Sequence, residues 1–146
     1  MYSKTLDKGE ARICDFGMSK VIEEVTERSA SATLTAGGSA RWMAPELIEG
    51  EAPTMEADTY SFAMAILELL TRKHPFADCK TTAAVIYGIV VQNKTPSRPE
   101  GYWLTDKLWE LMHMCWQKDT SSRPTMNKVA VSIHTIMEDT TDTRHN

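Results

Sequence analysis

The stretch from Thr54 to about Thr71 most limits what this chain can fold into, because it is apolar on nearly every side. Ala63, Ile66, Leu67 and Leu70 stand at i, i+3, i+4 and i+7, while Phe62, Met64 and Leu69 make the other sides apolar too. A helix that is apolar nearly all round belongs in the middle of a core. The rest of the chain must therefore wrap around it. Thr54 supplies the hydroxyl that a helix start requires, so the predicted helix runs from Thr54 to about Thr71.

The flanking patterns are helical as well. Thr81 or Thr82 opens an element that runs through Val91 and ends before Pro96 and Pro99. Leu104, Leu108, Leu111, Met112 and Cys115 mark one helical face, and Met126, Val129, Ala130, Ile133, Ile136 and Met137 mark another. Met112, Met114, Met126 and Met137 read as core filler. Leu6 to Cys14 follows an apolar–turn–apolar pattern with the turn at Asp7-Lys8-Gly9, which predicts a short β-hairpin. Residues 18–40 are rich in Ser, Thr, Gly and Ala with no sustained period, the pattern of a long loop, and after Glu138 a polar, Thr/Asp-rich tail is predicted.

Composition narrows the function classes. With 146 residues, the chain is one domain or part of one. Its net charge of −4 gives no reason to expect nucleic acid or an anionic membrane as a partner. The longest apolar runs, Phe62 to Leu67 and Val85 to Val91, are too short to span a bilayer. Cys14, Cys79 and Cys115 are odd in number and fit no metal-ligand spacing, and residues 1–8 carry no apolar leader. Reduced thiols and a cytoplasmic location are the expectation.

Five short signals carry the chemistry, and their order matters. Asp15-Phe16-Gly17 is followed by Gly38-Ser39-Ala40-Arg41-Trp42-Met43-Ala44-Pro45-Glu46. Downstream come Asp58-Thr59-Tyr60-Ser61-Phe62, then Cys115-Trp116, then Asp119 with Arg123-Pro124. Asp15-Phe16-Gly17 alone favours a solvated aspartate in a turn, and the other four signals reverse that reading. In this order, the five resemble the C-terminal lobe of a eukaryotic protein kinase, from about Leu6 to Met137. Arg41 to Glu46 and Cys115-Trp116 look most like the tyrosine-kinase-like group.

The resemblance implies a mainly α fold, a kinase-like helical bundle with a short N-terminal β-hairpin and no N-terminal lobe. Residues 1–137 would form a partial kinase domain and 138–146 a flexible tail. Asp15 would hold Mg²⁺ against the ATP phosphates, Phe16 would pack inward and Gly17 would permit the sharp turn. Gly38 to Glu46 would be the substrate-docking segment, with Trp42, Ala44, Pro45 and Glu46 as its fixed points. Ser39 would brace the catalytic loop, as in Ser/Thr-specific members. Ser31, Thr33 and Thr35 fall where activation loops take phosphate, although a loop rich in hydroxyls by composition reads the same. Glu46 would form a buried ion pair with Arg123, and two unrelated surface charges are the bland alternative. Asp58 would orient a catalytic loop, and Trp116 would pack at the domain base. Ala63 stands where the family usually has Gly, a change that favours the helix.

Only fourteen residues precede Asp15, too few for a Gly-rich loop, a Val-Ala-Ile-Lys-type strand or a His-Arg-Asp catalytic loop. The expected function is therefore that of the C-terminal part of a kinase that transfers the ATP γ-phosphate to protein Ser/Thr hydroxyls. This polypeptide alone is expected to be inactive, with no catalytic base present. A non-catalytic interaction module, a pseudokinase relic, is the alternative. ATP and Mg²⁺ are the family's cofactors, and binding them is not expected of this chain alone. A protein substrate or a partner kinase lobe is the expected partner, with no nucleic acid and no membrane.

Overall fold

The structure, a computed structural model, describes residues 39–100 and 104–142. It begins with a 3₁₀ turn, Ser39–Arg41, followed by helices α1 (Pro45–Ile48), α2 (Met55–Thr71), α3 (Thr82–Val90), α4 (Asp106–Cys115) and α5 (Met126–Asp142). A second 3₁₀ turn, Thr120–Ser122, joins α4 to α5. The described part is mainly helical, without strands. The hairpin predicted for Leu6 to Cys14 lies outside the described residues.

Hydroxyl caps set the helix starts. Thr54 accepts from Ala57 N–H at 3.1 Å, Thr81 from Ala84 N–H at 3.2 Å and Thr105 from Leu108 N–H at 3.2 Å. Each satisfies one of the amides that a helix start leaves unpaired. At the other end of α2, Arg72 takes a left-handed conformation (φ 56°) and its N–H bonds to Glu68 C=O at 2.7 Å. Thr71 is thus the last helical residue, as the sequence pattern predicts.

Helix α2 packs against α4 and the Thr120–Ser122 turn, α4 carries α5, and α1 packs against α3. Tyr60, Ala63, Met64 and Leu67 of α2 meet Val85 and Ile89 of α3, Leu111, Met112 and Cys115 of α4, and Val129 of α5 in one buried cluster. The central position expected for α2 holds for these residues. It fails for Met55, Phe62 and Leu69, which are 71%, 38% and 62% exposed. They recur every seven residues, two helical turns, so they form one open stripe.

The methionine expectation also needs correction. Met112 is buried, but Met114, Met126 and Met137 are exposed. Helix α5 lies at the edge: it fully buries Val129 and packs Ile133 and Ile136 partly against the core, as its predicted apolar face requires, while Ala130 and Val131 are exposed. The backbone of α5 continues to Asp142, past the point where the sequence turns polar. An ion pair from Lys107 Nζ to Asp139 Oδ2 at 2.6 Å ties this last stretch to α4.

Candidate functional site

The site begins at Ala44, whose extended ψ of 149° turns the chain into α1, with Pro45 at the first helical position. Pro suits that position because its missing N–H would have been unpaired anyway. Ala44 is completely buried, and the next residue but one, Glu46, points its carboxylate inward at 6% exposure. A buried carboxylate requires a cation, and Arg123 supplies it. Nη1 meets Oε1 at 2.6 Å and Nη2 meets Oε2 at 2.9 Å. Two further guanidinium donors are used as well, Nε on Gln117 C=O at 2.8 Å and the second Nη1 donor on Glu56 C=O at 3.1 Å. The guanidinium also lies over the Tyr60 ring, 5.2 Å from its centroid.

Local chemistry aims Arg123. The Asp119 carboxylate accepts from Ser121 N–H at 3.0 Å, Ser121 Oγ at 2.8 Å and Ser122 Oγ at 2.9 Å, closing the 3₁₀ turn. These bonds, from the Ser121 and Ser122 side chains first, hold the Asp119 carboxyl below its usual range. Trp116 caps α4, is buried, and has Trp109 and His113 edge-on at 5.6 and 6.0 Å. Its indole N–H has no conventional partner among the described residues. Burial pushes the Tyr60 phenol well above its usual range and the Cys115 thiol up to about 11.

Two neighbouring side chains anchor the segment before Ala44 to the end of α2 and the loop that follows. Arg41 Nη1 donates to Pro75 C=O at 2.9 Å and Phe76 C=O at 2.7 Å, and Nη2 donates to Cys79 C=O at 2.9 Å. Successive carbonyls of an extended chain point to opposite sides, so two of them can meet one nitrogen only at a chain reversal. Phe76 provides it by adopting φ 54°, a left-handed conformation that costs a non-glycine residue about 1–2 kcal/mol. Hydrogen bonds to a charged group, each worth about 1.5–3 kcal/mol, offset that cost. Trp42 then donates its indole N–H to Glu68 Oε2 at 2.9 Å, while Glu68 Oε1 lies 3.0 Å from His74 Nδ1. The Trp42 and His74 rings sit edge to face at 5.5 Å.

The structure thus brings Trp42, Ala44, Pro45, Glu46, Trp116 and Arg123 into one connected region. Ser39 opens it, its carbonyl accepting from Trp42 N–H at 3.0 Å. Asp58 stands apart on the open side of α2. Its carboxylate meets no partner among the described residues, and partial desolvation raises its pKa. Asp15, Phe16, Gly17, Ser31, Thr33 and Thr35 lie outside the described residues. Among the described residues no three His, Cys, Asp or Glu side chains converge to hold a metal ion, and no helix is long and apolar enough to cross a membrane.

A protein tyrosine and serine/threonine kinase family model matches residues 5–133. The chain belongs to the protein kinase family. It is 34% identical over 131 residues to the serine/threonine-protein kinase mos of Patiria pectinifera, covering 88% of this chain and 36% of that protein. Arabidopsis thaliana serine/threonine-protein kinase STY17 is 32% identical, covering 90% of this chain and 22% of that protein. Drosophila melanogaster mitogen-activated protein kinase kinase kinase 7 is 32% identical, covering 89% and 18%. The chain therefore spans about a third or less of the length of these relatives. It resembles tyrosine-kinase-like members of the kinase family, and the Glu46–Arg123 pair anticipated from that resemblance is present.

Sequence reading missed the roles of Arg41, Glu68 and His74. Arg41 was visible only as part of a motif, because its partners are backbone carbonyls and no spacing announces a carbonyl. Glu68 sits inside the apolar stretch of α2, and as the polar exception there it was the signal available.

Proposed function

We propose that this chain is the acceptor-docking part of a kinase that transfers the ATP γ-phosphate to Ser and Thr hydroxyls of proteins, and that the 146-residue polypeptide transfers no phosphate by itself. The observation that carries this reading is the buried bidentate pair between Glu46 and Arg123. It ties the docking segment to the base of the helical bundle and leaves the segment's outer face for a protein acceptor. The hydroxyl of Ser39, at the head of that segment, supports Ser/Thr acceptors over tyrosine. Asp15 is the residue that would hold Mg²⁺, which would screen the ATP phosphates. Ser31, Thr33 and Thr35 are the proposed sites of activating phosphate, each able to add about −1.5 to −2 charges to the loop.

The open stripe of Met55, Phe62 and Leu69, with Asp58 between the first two, supports the same reading. In a kinase this side of the central helix receives the preceding helix and the catalytic loop, and Asp58 would hold that loop's backbone. The test is the complete transcript. The protein it encodes is expected to include a His-Arg-Asp loop and to phosphorylate serine and threonine in casein, with Asp15→Asn abolishing the transfer. A transcript whose translation starts at Met1, yielding a stable protein without transfer, would favour the interaction-module reading.

A further inference from the structure

We propose that Arg41 is a positioning residue, which locks the loop from Arg72 to Cys79 against the docking segment so that the two present one rigid surface to a protein acceptor. This rests on the kinase reading above. Three carbonyls converge on the Arg41 guanidinium, those of Pro75, Phe76 and Cys79, all within 2.9 Å. Without that cation the three carbonyl dipoles would face one another across a half-buried space, and the loop would have to open.

The loop cannot hold this shape by its own backbone preferences. Arg72 and Phe76, both non-glycine, adopt φ 56° and 54°, where side chains crowd the backbone. Its internal hydrogen bonds are few. Cys79 N–H bonds to Phe76 C=O at 2.9 Å, and Lys73 N–H to Thr71 Oγ1 at 3.2 Å. Pro75 and Phe76 are buried, and Lys94 reaches Asp78 Oδ2 and Cys79 Sγ; the backbone carbonyls and the His74 side chain are held from the docking segment. Arg41 holds the loop's second half, and Trp42, through Glu68, holds His74 in its first half.

The reverse side of the same loop borders a hollow. Pro75, Phe76 and Ala77 form one wall of an open hollow of about 240 Å³, with Pro96, Ser97 and Pro99 opposite. Arg41 sets the position of that wall without touching the hollow, so its influence on an acceptor is indirect. Loss of Arg41 should weaken the capture of a protein acceptor while leaving nucleotide use and turnover alone.

Two measurements test this on wild type, Arg41→Gln and Arg41→Lys. Hydrogen exchange on the 146-residue chain follows residues 72–79, with α4 and α5 as internal references. Steady-state kinetics on the protein encoded by the complete transcript use myelin basic protein as acceptor. Arg41→Gln is expected to speed exchange in residues 72–79 at least tenfold with α4 and α5 unchanged. It is also expected to raise the KM for myelin basic protein at least fivefold, with kcat and the KM for Mg²⁺–ATP unchanged. Arg41→Lys, which keeps the charge but not the planar fork, is expected to fall between. Unchanged exchange in residues 72–79 overturns the clamp. An active wild type with an unchanged acceptor KM in Arg41→Gln overturns the positioning role and leaves the kinase reading standing. A wild type that transfers no phosphate removes both. If α4 and α5 lose protection together with the loop in both variants, Arg41 is a general stability residue and the proposal fails.

Discussion

Arg123 and Glu46 form two parallel hydrogen bonds, 2.6 and 2.9 Å long, across 77 residues of sequence. The arginine side chain is completely buried and the glutamate 8% exposed. Such a pair costs desolvation on both sides, and its geometry must be good to recover it. Here every guanidinium nitrogen has an acceptor: the carboxylate, Glu56 C=O or Gln117 C=O. The pair therefore works mainly as a fixed distance between α1 and the turn that follows α4.

Removing one partner strands the other charge in the core. Arg123→Met is expected to destabilise the chain by about 3–5 kcal/mol, and Glu46→Leu by a similar amount. The double variant should cost clearly less than the sum, because neither charge is then left alone. Urea unfolding of the four proteins measures this. Additive losses would mean that the two residues act independently.

Stability should decline in alkali. The Cys115 thiol has its pKa raised to about 11 by burial, above its ordinary value of 9.0. Between those values the unfolded chain releases a proton that the folded chain keeps, so the contribution is complete below about pH 9 and lost as pH rises through 11. The loss is on the order of 2–3 kcal/mol, and the buried Tyr60 phenol, also raised, extends the decline beyond pH 10. Urea midpoints at pH 7, 9 and 11 check it. Cys115→Ala should lower the midpoint at pH 7 and flatten its slope between pH 9 and 11, and an undiminished slope would remove Cys115 as the cause.

The open stripe on α2 should make the isolated chain prone to self-association. Leu69 and Met55 are mostly exposed, so Met55→Glu with Leu69→Glu should leave stability within about 0.5 kcal/mol per site. Glu at position 55 also faces the positive end of the helix dipole. Sedimentation velocity is expected to show association in the wild type and less in the double variant. A monodisperse wild-type monomer with a sharp melt above ordinary mesophile temperatures would contradict this.

The sequence pattern located the helices well because their caps and apolar spacing are local properties. Thr54, Thr81 and Thr105 cap where a hydroxyl precedes an apolar run. Which apolar residues stay uncovered was not legible, since Met64 and Leu69 both read as the other sides of an apolar helix and differ in what packs against them. Glu46 and Arg123 were paired in advance through the family resemblance, as no local rule links positions so far apart. Arg41 was missed because its role depends on a left-handed phenylalanine, which sequence does not signal.

By itself, this chain is proposed to carry the acceptor-docking part of a kinase without its nucleotide site. Calorimetric titration of the purified 146-residue chain with Mg²⁺–ATP tests it most directly. Adenine requires a cleft of ligand depth, and a single carboxylate such as Asp15 would hold Mg²⁺–ATP weakly, because Mg²⁺ keeps its waters unless several oxygens converge. No measurable heat of binding is expected up to millimolar nucleotide. A micromolar dissociation constant would contradict it.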